Sequence, residues 1–339
     1  MDDLAPLGWT GRFARQLDGT DLHPARVAEV QRSHLLVLPG NLRLLAPGGT
    51  GRFAVGDWLL HDGTSALRRL EPRTEIARKA AGEGSERQLI AANVDTLGIV
   101  TSCNADFSVP RLERYLAVAM QAGCLPLVIL TKADQTRDPE AYLREARRLS
   151  PLVTALALNA LDPEEVARLH PWVAAGQTLA LVGSSGVGKT TLQNALTGVE
   201  QATQGIREDD AKGRHTTTAR QLRRTLAGGC LIDTPGMREL GMLDAAEGIA
   251  QVFADIEELA TRCRFRDCAH EGEPGCAVQA AIAEGALEPD RLKRWRKLAR
   301  EDRLHTESLH ERHARTRAWA KATRAGMERS QWKRRGPGD

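Results

Sequence analysis

The sequence predicts a multidomain α/β protein in three parts: an N-terminal β-barrel over residues 1–75, a mostly parallel sheet with helices on its faces over residues 86–245, and a helical C-terminal part over residues 246–339. Three observations predict it. Short strand-like runs separated by turn clusters fill the first part, and strand and helix signals then alternate. Beyond Leu240 the strand signals stop, leaving a helical stretch, a cysteine cluster and a long basic arm.

From Ala25 to about Leu70 the runs ARVAEV, SHLLVL, NLRLL, RFAVGDWLLH and TSALRRL are divided by Pro39-Gly40-Asn41, Pro47-Gly48-Gly49 and Asp62-Gly63. Short strands at close, even spacing read as a small barrel rather than a βαβ unit. Residues 72–90 are polar and contain glycine, which reads as a linker. Val94–Ser102 is then strand-like, Leu112, Tyr115, Leu116, Ala119 and Met120 follow at helical spacing, and Leu125–Leu130 is a second buried strand. The alternation continues as far as Leu179–Val182, which implies parallel strands with covering helices. No period of 20–50 residues repeats, so a solenoid is not expected.

Composition narrows the class. Of 339 residues, 42% are hydrophobic and 27% charged, which excludes a wholly disordered chain. The net charge of +3 conceals a segregation: residues 291–335 carry 16 basic and 5 acidic side chains, whereas residues 1–290 carry 31 and 38. A basic arm on a mildly acidic body predicts an anionic partner for one end of the molecule. The N-terminal residues lack the basic patch and apolar run of a signal peptide, and no stretch approaches the ~20 apolar residues of a membrane span, so a cytoplasmic protein without a membrane partner is expected. Cys103, Cys124 and Cys230 lie among apolar neighbours and read as inert core thiols.

The run Leu179–Val182 leads into Gly183, Ser184, Ser185, Gly186, Val187, Gly188, Lys189 and Thr190, and a helical pattern begins at Thr191. This matches GxxxxGK(S/T) in the strand-before, helix-after context that a phosphate loop requires. Its glycines let backbone N–H groups close around phosphates at a helix N-terminus. Lys189 is expected to reach the phosphates, and the Thr190 hydroxyl to ligate Mg²⁺.

Two further segments choose the base and complete the metal site. Asp233-Thr234-Pro235-Gly236 follows an apolar run and fits DxxG, with Asp233 for the magnesium and the Gly236 N–H for the γ-phosphate. Thr131, Lys132, Ala133 and Asp134 follow the strand Leu125–Leu130 and resemble the NKxD guanine motif, whose Asp accepts from guanine N1 and N2 hydrogens that adenine cannot offer. Asn159 and Ala160 stand where GTPases carry Ser-Ala against the base. The expected ligands are therefore GTP or GDP with Mg²⁺.

In a Ras-like GTPase the phosphate loop precedes the guanine motif; here TKAD at residue 131 precedes the loop at residue 183, so the domain is circularly permuted. The opened end falls after DTPGM, and the second switch leads straight into the C-terminal part. Residues Gly213-Arg214-His215-Thr216-Thr217-Thr218 occupy the interval where the first switch must fall, and Thr216 or Thr217 is the threonine expected over Mg²⁺. Met237 follows Gly236 where many GTPases place the glutamine that orients water. A thioether cannot hold that water, so intrinsic hydrolysis should be slow. His215 is one replacement for it; the competing reading makes Arg214 and His215 loop residues that touch nucleic acid.

Cys263, Cys268, His270 and Cys276 supply three thiolates and an imidazole within a short segment turned by Gly272, Pro274 and Gly275. Four N/S ligands close a tetrahedral zinc site with no open position, which predicts a structural role. In the arm, Arg291, Lys293, Arg294, Arg296, Lys297, Arg300 and Arg303 precede a second basic run from Arg312 to Arg335, with Trp295, Trp319 and Trp332 interspersed, a combination that suits RNA.

Taken together, FAVGDWLL, TKAD before GSSGVGKT, GRHTTT, DTPGM and CxxxxCxHxxxxxC resemble the ribosome small-subunit-dependent GTPase A (RsgA/YjeQ-type) family over roughly residues 25–300. The resemblance implies an RNA-binding OB-fold barrel, a permuted P-loop GTPase domain and a zinc-binding helical domain. It also implies action on the small ribosomal subunit and its rRNA late in maturation, with hydrolysis stimulated by the subunit and promoting release. Thr131 replaces the Asn of NKxD, and Asn159 replaces the Ser. Two alternatives are an RNA-binding scaffold whose nucleotide is rarely turned over and a P-loop ATPase. A monomer is expected, because neither a heptad pattern nor a self-complementary face is visible.

Overall fold

In the computed structural model, which describes residues 3–19, 21–79, 87–199, 220–233 and 244–306, five strands close the predicted barrel. A one-turn helix α1 (Gly11–Ala14) precedes β1 (His23–Val30), β2 (His34–Leu38), β3 (Leu42–Leu45), β4 (Trp58–His61) and β5 (Ala66–Arg69). Strand β1 pairs antiparallel with β2 and β4, β2 pairs with β3, β4 pairs with β5, and a parallel bridge from Leu45 to Ser65 joins β3 to β5. This is the short, five-stranded OB-type barrel. Its interior is small and apolar, with Ala25, Val27, Leu35, Val37, Leu44, Phe53, Leu59 and Ala66 packed together.

The segment read as a linker over 72–90 instead carries a hairpin, β6 (Glu75–Lys79) with β7 (Arg87–Ala92). Among the described residues of β6 Ile76 alone is buried, and in β7 the buried Ile90, Ala91 and Ala92 are consecutive, so neither strand shows the alternation of a half-buried strand.

Beyond the hairpin come β8 (Thr96–Ser102), α2 (Val109–Gln121), β9 (Leu125–Thr131), α3 (Pro139–Arg147), β10 (Thr154–Ala157), α4 (Pro163–Ala167), β11 (Thr178–Val182), α5 (Lys189–Thr197), β12 (Gln221–Arg224) and β13 (Cys230–Asp233). The order across the sheet is β10-β9-β8-β11-β13-β12, parallel except for β12. Side chains alternate between two cores: Leu127 and Ile129 pack on one face, Val128 and Leu130 on the other. Chain progression reverses between β8 and β11, which places a ligand crevice at the carboxyl ends of those two strands.

The barrel is stitched to this sheet. Strand β12 meets β1 at Gln221 and Glu29, whose side chains share a 2.9 Å hydrogen bond. Arg26, almost completely buried, donates to the carbonyls of Leu7, Gly56 and Asn93 and, at 2.9 Å, to the Thr178 hydroxyl of β11. Burial pushes its guanidinium below the usual arginine range, and these acceptors, with Trp58 beneath it, satisfy the donors that water would otherwise serve.

The C-terminal part is helical: α6 (Ala246–Val252), α7 (Ala254–Ala260), α8 (Ala277–Ala283) and α9 (Pro289–Thr306). Helix α6 lies on α2, where a Cβ on Gly248 would stand 2.0 Å from the Ala117 carbonyl oxygen, so only glycine permits the approach. Helix α9 closes the group: Asp302 accepts from the Ala245 N–H at 2.8 Å, and the Thr306 hydroxyl accepts from the Asp244 N–H. Among the described residues no helix is long and apolar enough to cross a membrane.

Candidate functional site

The loop Gly183–Thr190 emerges from β11 into the crevice beside β8 and runs directly into α5. Gly183 has φ 145° and lies so near β8 that a Cβ would fall 2.1 Å from the Val100 carbonyl oxygen. Lys189 Nζ donates to the Gly183 carbonyl at 2.8 Å and also to that of Ser184, so the ammonium sits across the mouth of the loop. Val187 is fully buried and anchors the loop from below, while Ser185 and Gly186 are exposed. Thr190 and Thr191 open α5.

The guanine-motif residues lie at the end of β9. The buried Thr131 hydroxyl donates to the Val187 carbonyl at 2.6 Å and stands 3.1 Å from the Thr101 carbonyl. Thr131 thus ties the motif to the phosphate loop and to β8. Lys132 adopts the left-handed conformation, φ 57°, and Ala133 and Asp134 form a short 3-10 turn with Asp134 exposed. Burial, helped by the negative charge of Asp134, pushes the nearby Cys103 thiol up to about 11. That keeps Cys103 protonated and unreactive at neutral pH.

Asn159 and Ala160 follow β10 on the same side. The Asn159 side chain accepts from the Leu161 N–H at 3.0 Å, its N–H donates to Glu165, and the Ala133 N–H reaches the Leu158 carbonyl. Asn159 therefore holds its own turn together, and Ala160 is buried beside the motif. Asp233, at the end of β13, stands opposite Leu181 in the ladder and so at the same edge of the sheet. His215, Thr216, Thr217 and Gly236 lie outside the described residues, as do Arg214 and Met237.

The cysteine cluster converges as its spacing predicts. Donor atoms of Cys263, Cys268, His270 and Cys276 all lie within 4.8 Å of one another. His270 Nδ1 is 3.4 Å from Cys276 Sγ and 3.6 Å from Cys263 Sγ, and the latter two sulfurs are 3.9 Å apart. A tetrahedron with Zn–S of about 2.3 Å and Zn–N of about 2.0 Å has edges of roughly 3.5–3.8 Å, so the donor set fits zinc. The cradle is supported from outside: the His270 carbonyl accepts from Gln279 and Arg296, and Glu273 accepts from the N–H groups of Ala269, Glu271 and Gly272.

A sequence model described as RsgA GTPase matches residues 69–243. A relative from Mesorhizobium japonicum, "Small ribosomal subunit biogenesis GTPase RsgA", is 51% identical over 315 residues, covering 89% of this chain and 91% of its own. The chain belongs to the RsgA GTPase family.

Two solved structures share the fold. The crystal structure of YjeQ from Thermotoga maritima superposes with a TM-score of 0.59 at 21% identity, over 83% of this chain and 98% of the other. That of YloQ, described as a circularly permuted GTPase, gives 0.58 at 22% over 86% and 98%. The permuted order of TKAD and phosphate loop is thus a property of the fold. Family membership makes the chain a GTP hydrolase and implies a guanine nucleotide with Mg²⁺.

In this RsgA-family chain the structure also brings in residues that had no signal in the sequence. Arg111, at the start of α2, donates to the Ser184 hydroxyl of the phosphate loop at 2.5 Å. Glu113, without exposed surface, meets Arg291 and Arg294, and Arg114 meets Glu301 at 2.6 Å. A charged residue on a helix reads as a solvated face until its spatial neighbours are known. The basic arm is divided by the same contacts. Arg291, Arg294 and Arg296 bond to the body, and the indole N–H of Trp295 donates to Glu257. Lys293, Lys297, Arg300 and Arg303 remain exposed along the outer side of α9.

Proposed function

We propose that this chain is a GTPase that acts in the late assembly of the small ribosomal subunit, its hydrolysis stimulated by the subunit and promoting release. The observation that carries the reading is the 51% identity, across nearly all of both chains, to a protein named for small ribosomal subunit biogenesis. An intact phosphate loop tied through Thr131 to the guanine motif supports the same reading.

In the site, Lys189 and the loop N–H groups of Gly183–Thr191 hold phosphates, Thr190 and Asp233 hold magnesium, and the Gly236 N–H meets the γ-phosphate. Asp134 selects guanine while Lys132 packs along the base, and Asn159 and Ala160 close the base side. Thr216 or Thr217 closes over the metal, and His215 orients water in place of the glutamine that Met237 lacks. Cys263, Cys268, His270 and Cys276 hold one structural zinc.

Residues 1–75 form an RNA-binding barrel, 86–245 the permuted GTPase unit and 246–339 the zinc-binding helical part, in a cytoplasmic monomer. The exposed Lys293, Lys297, Arg300 and Arg303, with the basic run beyond them, suit rRNA phosphates. The deciding experiment compares GTP hydrolysis with and without purified small subunits. Strong stimulation is expected; none at saturating subunits would overturn the reading.

A further inference from the structure

Arg111 stands at the Ser184 limb of the loop with no part in the roles assigned above. Its Nη1 donates to the Ser184 hydroxyl at 2.5 Å and to the Asp106 carbonyl at 3.3 Å, both neutral acceptors. The Ser184 carbonyl accepts from Lys189. A guanidinium and an ammonium therefore converge on one residue of the loop, one through its side chain and one through its backbone.

The side of the loop is set by two anchors. Lys189 reaches the β- and γ-phosphates in a phosphate loop, and here its ammonium lies over the carbonyls of Gly183 and Ser184. The base end is marked instead by Thr131, bonded to Val187. Ser184 therefore lies at the limb of the loop that the Lys189 ammonium marks, away from the Val187 end that Thr131 ties to the guanine motif. Between this limb and α2 lies a cavity of about 470 Å³, whose wall among the described residues is Ser108, Pro110, Arg111, Arg114, Tyr115, Ser184 and Ser185 and holds no carboxylate. A half-buried arginine that, among the described residues, bonds to neutral oxygens keeps its positive potential for whatever anion approaches.

We propose that Arg111 is a positioning residue for GTP hydrolysis: through Ser184 it holds the γ-side limb of the loop and sets a second cation beside Lys189, so that it favours GTP over GDP. This rests on the guanine-nucleotide reading of the site. GDP lacks the phosphate nearest Arg111 and gains little from it. Charge-assisted bonds are the strong ones in such a site, so the expected preference is about tenfold.

The test uses the full-length chain with the substitutions Arg111→Gln, Arg111→Lys and Ser184→Ala. Equilibrium binding of GDP and of a non-hydrolysable GTP analogue is measured beside single-turnover GTP hydrolysis. Arg111→Gln is expected to weaken the analogue about tenfold while leaving GDP within about twofold, and to slow the single turnover. Arg111→Lys, which keeps the charge, should recover most of the analogue affinity, and Ser184→Ala should lose part of the preference. Equal weakening of both nucleotides by Arg111→Gln, or no change in either, would overturn the role. Should Arg111→Gln fail to fold, Ser184→Ala decides: an unaltered preference for the analogue overturns the proposal. Absence of guanine-nucleotide binding by the unsubstituted chain is a separate result that removes the site reading itself, and the proposal with it.

Discussion

Arg294 Nε donates to both carboxylate oxygens of Glu113, at 3.0 and 2.9 Å, across 181 residues of sequence. Glu113 has no exposed side-chain surface and Arg291 contacts it as well, so the first basic run of the arm bolts α9 onto α2. Burial pushes the Glu113 carboxyl up, and the two arginines pull it back. Removing one partner of such a cluster leaves buried charge uncompensated. Glu113→Ala should cost about 3–5 kcal/mol of unfolding free energy in a urea titration. A loss below about 1 kcal/mol would mean the arginines find water instead.

Thr131 ties the guanine-motif segment at the end of β9 to the Gly-rich loop before α5. Thr131→Ala deletes a buried hydroxyl whose hydrogen bond to Val187 spans 2.6 Å. One such bond contributes about 0.5–1.5 kcal/mol, so guanine-nucleotide affinity should fall about three- to tenfold for GDP and GTP alike. Isothermal titration distinguishes this uniform loss from the selective loss expected of Arg111→Gln.

Asp134 tests the choice of base. Its carboxylate can accept from two guanine donors, whereas an amide offers one acceptor and adds a donor. Asp134→Asn should weaken GTP binding by more than about tenfold and improve binding of xanthosine triphosphate, whose ring presents an acceptor there. Competition binding reads both, and unchanged preference would place the base elsewhere.

Zinc content and stability should move together. Purified chain should contain one zinc per molecule by elemental analysis, and Cys268→Ser should lower both zinc content and melting temperature. A chelator is expected to have the same effect on the unsubstituted chain. Retention of full stability without zinc would remove the structural role.

Asp57 makes stability depend on pH. Burial pushes its carboxyl up to about 6, although Arg69 and the Ala54 N–H both bond to it. A folded-state value above the unfolded one of about 3.9 favours folding fully in acid, and that contribution disappears as pH rises through about 6. The difference is on the order of 3 kcal/mol. Urea titrations between pH 4 and pH 7 should show the unsubstituted chain losing stability relative to Asp57→Asn as pH rises. Parallel profiles would show that Arg69 holds the carboxylate ionised throughout.

Much of the architecture was legible before any coordinate. The phosphate loop needs closely spaced glycines ahead of Lys189, and the zinc ligands fall within one short turn-rich segment, so local spacing exposes both. The barrel was legible because its turns carry Pro-Gly and Asp-Gly pairs between alternating strands. The hairpin of β6 and β7 was not, because the buried residues, Ile76 in one strand and the consecutive Ile90, Ala91 and Ala92 in the other, make no period of two. The basic arm misled in part: charge counted along the chain cannot distinguish Arg294, paired with Glu113, from Lys297, which faces solvent.

Chain order alone established the class of chemistry and its permuted arrangement, since phosphate and zinc recognition use residues that lie close together along the backbone. The joining of distant segments came only with folding. Thr131 finds Val187 across 56 residues, Arg111 finds Ser184 across 73, and Glu113 finds Arg294 across 181. Hydrogen bonds and Coulomb forces act over a few ångströms of space, and separation along the chain carries no record of which charges will meet there.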